Sequence, residues 1–223
     1  MAEITVNDAP KAVARLKQRP FLLDLLVRLI KTKPLGFLGL IIVMLLFLTG
    51  IFANQLAPHG WNEIMLQYRL SPPRAGLPLG ADNVGRDLLS RIIYGARISM
   101  FVALGAQSIN VVIKLLLAVP SGYFGGKYDL ILQRIIDAWS CIPALALYMT
   151  VMAVLGPGIW QVIVVLGISG GIGGTRVIRS AVIRVKEDMY FEAARAIGVP
   201  TGRIMMRHVL PNIMSIIIIE TAA

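Results

Sequence analysis

The chain has 223 residues, of which 57% are hydrophobic and only 15% charged, against roughly 25% charged in soluble globular domains; its mean hydropathy is +0.74. These figures exclude an ordinary soluble domain and predict an integral membrane protein. The net charge of +10 sits beside apolar runs, which fits orientation in a bilayer and not nucleic-acid binding, and the single cysteine, Cys141, excludes an intrachain disulfide.

Residues 1–34 form a basic tail, too long and polar to be a cleavable signal peptide. Within it FLLDLLVRLI (21–30) is apolar but too short to cross, with Asp24 and Arg28 four apart, and predicts an interfacial helix. Residues 35–57 carry no charge and predict the first span, since crossing takes about 20 apolar residues. The segment 58–97, with its Pro- and Gly-rich stretch APHGWNEIMLQYRLSPPRAGLPLG, reads as an irregular extracytoplasmic loop. The rest, 98–223, reads as the core. Its apolar runs 98–120, 138–155 (starting nearer Leu130) and 159–175 predict three further spans. A fifth run from about His208 has only 13 residues from Pro211 to Ala223, so the sequence is read as stopping inside a span. Seven basic residues lie in the tail, two in 121–137 and seven in 176–207, against five in 58–97 and none in the turn at 156–158. The excess predicts a cytoplasmic N-terminus.

Little here points to catalysis. The two histidines, His59 and His208, fall on opposite sides of the predicted membrane, and no HExxH or CxxC is present. GYFGGKY (122–128) lacks one residue of phosphate-loop spacing and the following Ser or Thr. No metal site or bound cofactor is expected.

Within the spans, Lys114 is read as snorkelling or packed against a partner, with a place along a solute pathway as the alternative. Arg134 and Asp137 are three apart and predict a structural pair. GISGGIGG (167–174) places Gly167/Gly171 and Gly170/Gly174 at GxxxG spacing, which predicts close helix packing; the alternative for the glycines at 170–174 is a flexible or broken helix beside a pathway. Pro143 predicts a kink, and Cys141 reads as a small packed core residue.

Between the last two apolar runs, KEDMYFEAARAIGVP reads as a short capped helix. Asp188 suits the N-cap, Glu192 the positive end, Gly198 a left-handed C-terminal cap, and Pro200 stops continuation. Tyr190, Ala193, Ala194 and Ile197 share one small apolar face, suited to a groove on another protein.

The spacing of Glu192, Ala193, Ala194 and Gly198, followed by Leu210 and Pro211, resembles the cytoplasmic signature of ABC importer membrane subunits. His208 stands where an aliphatic residue is usual, though RHVLPN is similar to the peptide-importer branch. LGADNVGRDLLSRIIYGARIS (79–99), with Gly85, Arg86 and Asp87, and GYFGGKYDLILQRIIDAW (122–139) resemble dipeptide/oligopeptide/nickel permeases, as does APH near residue 58. GGIGGTRVIRS (170–180) departs from the bulkier residues usual there. The likeness covers residues 20–223.

The resemblance implies an all-α integral membrane protein with the type I ABC importer permease fold, six spans in the whole family, and here four complete spans plus part of a fifth. It implies no catalysis by this chain: ATP and Mg sit on two partner ATPase subunits. These dock on a coupling helix at about 188–198 through Asp188, Tyr190, Glu192, Ala193, Ala194, Ile197 and Gly198. The other implied partners are a second related permease, an extracytoplasmic solute-binding protein and membrane lipid, in a prokaryotic cell membrane. Peptides are the implied solute; nickel chelates and glutathione-like molecules stay open. A stand-alone secondary transporter predicts charges at the bilayer midplane, where only Lys114 lies well inside a complete span. A structural anchor has no need of a capped, Ala-faced helix.

Overall fold

An uncharged run builds α1, Pro34–Ile51, with Pro34 preset for the first turn. The helix is apolar on every side and only 6% buried within the chain, so its surroundings must be apolar too. The computed structural model describes residues 30–222; the predicted helix at 21–30 lies outside them but for its last residue. The short α2, Ala53–Leu56, closes the first apolar segment.

The longest element, α3, runs Leu88–Phe124, 37 residues or about 55 Å. It starts ten residues ahead of the apolar run at 98, because Asp87 caps it: the carboxylate accepts from the backbone N–H of Leu89 (3.2 Å) and Ser90 (3.0 Å). Pro120 sits inside it without ending it.

The third predicted span is two helices. α4, Gly126–Ser140, and α5, Ala144–Leu155, meet at a 76° bend. Pro143 lies between them and supplies no backbone donor to continue α4. Cys141, expected in the core, is exposed at this break. α6, Ile159–Gly173, turns by 42° at Gly174 into α7, Thr175–Lys186. α8, Met189–Ala196, follows at once, then α9, Thr201–Ile204. A π-turn over Met205–Val209 leads into α10, Leu210–Asn212, and α11, Met214–Ala222. Pro211 cannot donate to the carbonyl four residues back, and widening the preceding turn accommodates its ring.

Two of these helices, α1 and α3, are each long and apolar enough to cross a membrane. The pairs α4–α5, α6–α7 and the stretch Thr201–Asn212 with α11 pass the same test when each bent pair counts as one span. Among the described residues there is no β-strand, only two isolated bridges, Arg74–Leu77 and Ala81–Asp87. The chain is an all-helical integral membrane protein.

The glycines of α6 bring it onto α3. A Cβ on Gly167 would lie 2.6 Å from Cβ of Ile109, and one on Gly171 2.8 Å from that of Ile113. Close packing accounts for the spacing of Gly167 and Gly171, and the same run also carries the 42° break at Gly174. The main core lies at the Phe124 end of α3. It joins Ala118 and Val119 to Ile178, Ala181 and Val182 of α7, Phe191 of α8, and Ile204, Val209, Ile213 and Ile217 beyond.

Candidate functional site

The segment with the most specific sequence signal is α8. Asp188 occupies its N-cap position in extended conformation but makes no side-chain capping bond. Burial, then the charge of Asp188, raise the Tyr190 hydroxyl above its usual range. The C-terminal end is fully built. Gly198 has φ +76°, its N–H bonds Arg195 O (3.0 Å), and Val199 N–H bonds Ala194 O (3.1 Å). This paired pattern requires the left-handed residue that glycine supplies most readily.

The expected apolar face divides. Ala194 turns inward and is 6% exposed, beside Phe191 at 1%. Phe191 packs edge-to-face on Tyr123 of α3, ring centroids 5.8 Å apart. Tyr190, Ala193 and Ile197 face outward with Met189, Glu192 and Ala196; Ile197 is 80% exposed. Phe191 and Met189 were missed in the sequence. The aromatic at 191 between two polar-flanked turns was the available signal for an inward anchor.

Leu210 packs against the core from the outside while Pro211 is exposed. The neighbouring Val209 and Ile213 are fully buried, and Asn212 Nδ2 donates to His208 O (2.6 Å). The stretch after α8 is therefore anchored firmly.

Gly85, Arg86 and Asp87 lie at the other end of α3, about 55 Å away along its axis. Gly85 has φ +89°, and a Cβ there would strike the Met65 carbonyl. Arg86 Nε donates to Asp82 Oδ2 (2.9 Å), and Arg91 Nη1 donates to the same oxygen (2.7 Å). Burial pushes the Asp82 carboxyl up. The N–H groups of Arg86 and Val84 and the Arg86 guanidinium more than offset this and hold it well below the usual range. Asp87 is likewise depressed, burial being outweighed by bonds from Ser90 and Leu89. These residues fix the turn that starts α3.

Lys114 is 5% exposed and pairs with Glu220 of α11 at 3.3 Å. It neither snorkels nor stands alone, and Gly174 makes room: a Cβ there would lie 2.6 Å from Nζ. Asp137 pairs with Arg134 (3.7 Å) as expected and more closely with Arg176 (2.6 Å). Among the described residues no group of His, Cys, Asp or Glu is placed to hold a metal ion.

Residues 114–223 match the family described as the inner membrane component of binding-protein-dependent transport systems, and residues 22–73 match the N-terminal transmembrane domain of oligopeptide transport permease C. The chain is 35% identical over 86% of its length to 60% of the dipeptide transport system permease protein DppC of Bacillus subtilis. It is 32% identical over 85% of its length to 62% of the oligopeptide transport system permease protein OppC of the same organism. With the probable D,D-dipeptide transport system permease protein DdpC of Escherichia coli it shares 33% identity over 97% of its length and 73% of that protein. The chain thus spans about 60% of the length of the first two relatives.

Proposed function

The chain belongs to the family of inner membrane components of binding-protein-dependent transport systems, and from that premise we propose that it is a permease subunit of an ATP-driven importer of dipeptides, oligopeptides or chemically similar solutes. It forms half of the translocation pathway with a second, related permease. Two ATPase subunits bind and hydrolyse ATP with Mg, and an extracytoplasmic solute-binding protein delivers the solute. The chain itself performs no chemistry. It sits in a prokaryotic inner membrane with the N-terminus cytoplasmic and the type I importer fold.

The observation that carries this reading is α8. It is a capped helix with one face locked into the chain through Phe191 and Ala194 and the other presenting Met189, Tyr190, Ala193 and Ile197 to the outside. An exposed apolar strip flanked by Glu192 and Arg195 suits a protein groove better than lipid. Closure of the ATPase pair on ATP pushes this strip, and the core moves with it because Phe191 is embedded there. The relatives' names, which speak of dipeptide and oligopeptide transport, support the solute class.

Glu192→Lys in the complete transporter tests the docking. The expected result is loss of co-purifying ATPase subunits and of transport; full assembly and full transport would sink the docking model.

A further inference from the structure

A soft joint separates α3 from α4. Gly125 and Gly126 both have positive φ, +64° and +53°, and no atom lies within 4 Å of where their Cβ atoms would be. The backbone of the joint therefore leaves the direction of α4 open. That direction is set by side-chain contacts to α3 and α7; Phe124 of α3 packs edge-to-face on Tyr128 of α4, ring centroids 5.7 Å apart.

Arg179 of α7 donates from Nε to Asp129 Oδ1 (2.5 Å) and from Nη2 to Asp129 Oδ2, a two-pronged contact between α7 and α4. Ser121 of α3, fully buried, donates to the same Asp129 Oδ1 (2.5 Å) and accepts from Gln133 Nε2 (3.2 Å). One carboxylate of α4 therefore binds two other helices, α3 and α7. Forked, charge-assisted contacts of this kind are both strong and directional. A second contact, Arg176 to Asp137, lies two turns further along α4, but both side chains are about half exposed, and such pairs contribute little.

α7 is in turn continuous with α8. Only Glu187 and Asp188 intervene, and their N–H groups bond back to Arg184 O (3.2 Å) and Val185 O (3.3 Å). Lys186 Nζ donates to Tyr123 O (2.9 Å), and a Cβ on Gly122 would lie 2.8 Å from Cβ of Val182. α3, α7 and α8 thus form one block, and Asp129 makes the charged contact that holds α4 to it.

We propose that the Asp129–Arg179 contact is the strut by which displacement of α8 carries α4, and through the 76° bend α5, so that Asp129 and Arg179 are positioning residues for energy coupling. This rests on the reading of α8 as the ATPase-docking helix. A rigid block moving against a free glycine joint would leave α4 behind; the carboxylate prevents this.

The test follows movement directly and needs no knowledge of the solute. In the complete transporter with Cys141→Ser, spin labels are placed at Leu45→Cys of α1 paired with Leu145→Cys of α5, and at Leu45→Cys paired with Thr201→Cys, exposed just after α8 and outside its docking face. Pulsed electron paramagnetic resonance compares the nucleotide-free state with the state trapped by ATP and vanadate. Both distances are expected to shift in the otherwise unchanged chain. With Asp129→Asn the Thr201 shift persists and the Leu145 shift is lost; Asp129→Arg together with Arg179→Asp restores it. An undiminished Leu145 shift in Asp129→Asn, or no Leu145 shift in the unchanged chain, overturns the strut. An immobile Thr201 label in the unchanged chain overturns instead the docking reading beneath it. If Asp129→Asn does not assemble, Arg179→Lys, which keeps the charge and loses the fork, takes its place, and an undiminished Leu145 shift there overturns the proposal equally.

Discussion

Replacing Phe191 by alanine removes a ring that is 1% exposed and seated against Tyr123 in the main core. Such truncations cost about 3–5 kcal/mol. Ile197→Ala, at the C-cap of α8 and 80% exposed, is expected to cost less than about 0.5 kcal/mol. Thermal unfolding of the purified protein in detergent separates the two; equal losses would contradict the division of α8 into an inner and an outer face. At the far end of α3, Asp82 makes a pH prediction. Its carboxyl is depressed in the folded state, so its stabilisation is complete above the ordinary carboxylate range and disappears as pH falls through the depressed value. Amide exchange over residues 65–86 is therefore expected to stay slow from pH 7 down to about 4, the ordinary carboxylate pKa. Asp82→Asn makes it fast already at pH 7, and unchanged protection in that variant would contradict the assignment.

At the scale of elements, the contact of α3 with α6 depends on missing side chains. Gly171→Leu must displace Ile113 or the Asn110 carbonyl, 2.8 and 2.9 Å from where its Cβ would be. Overpacking of this kind costs about 1–3 kcal/mol, visible as a lower melting temperature; Gly173→Leu, where a Cβ meets nothing within 4 Å, provides the comparison. The contact of α3 with α11 depends on a charge pair whose lysine is buried and whose glutamate is partly buried. Lys114→Met alone strands Glu220 and is expected to cost about 3–5 kcal/mol, whereas adding Glu220→Leu recovers most of that loss. A double variant as unstable as the single one would show that the pair does not act as a unit. The sequence made the GxxxG register of α6 and the glycine cap at the C-terminal end of α8 legible, because each depends on residues within a few positions; the side-chain cap expected of Asp188 does not form. It left the partner of Lys114 hidden, since Glu220 lies 106 positions away. It also left open which face of α8 turns inward, since α3 and α7 decide that. Pro143 predicts only a kink within one span, because a proline shows that a helix is interrupted but not by how much.

For the whole molecule, the chain places a tightly fixed turn at one end of a 37-residue helix and a protruding, capped helix against the other. This polarity suits a device in which solute delivery and ATP-driven force act on opposite sides of a membrane. The family signature marked both ends in the sequence, while the inward packing that ties the protruding helix to the core emerged only from the fold. The central claim is that the outward face of α8 meets an ATPase subunit. Photo-cross-linking tests it most directly, with benzophenone attached at Ala193→Cys in a Cys141→Ser background, in membrane vesicles holding the complete transporter. An adduct with an ATPase subunit is expected from Ala193→Cys and none from Leu66→Cys in the loop before α3. An ATPase adduct from the loop position, or none from Ala193→Cys in an assembled transporter, would contradict that claim.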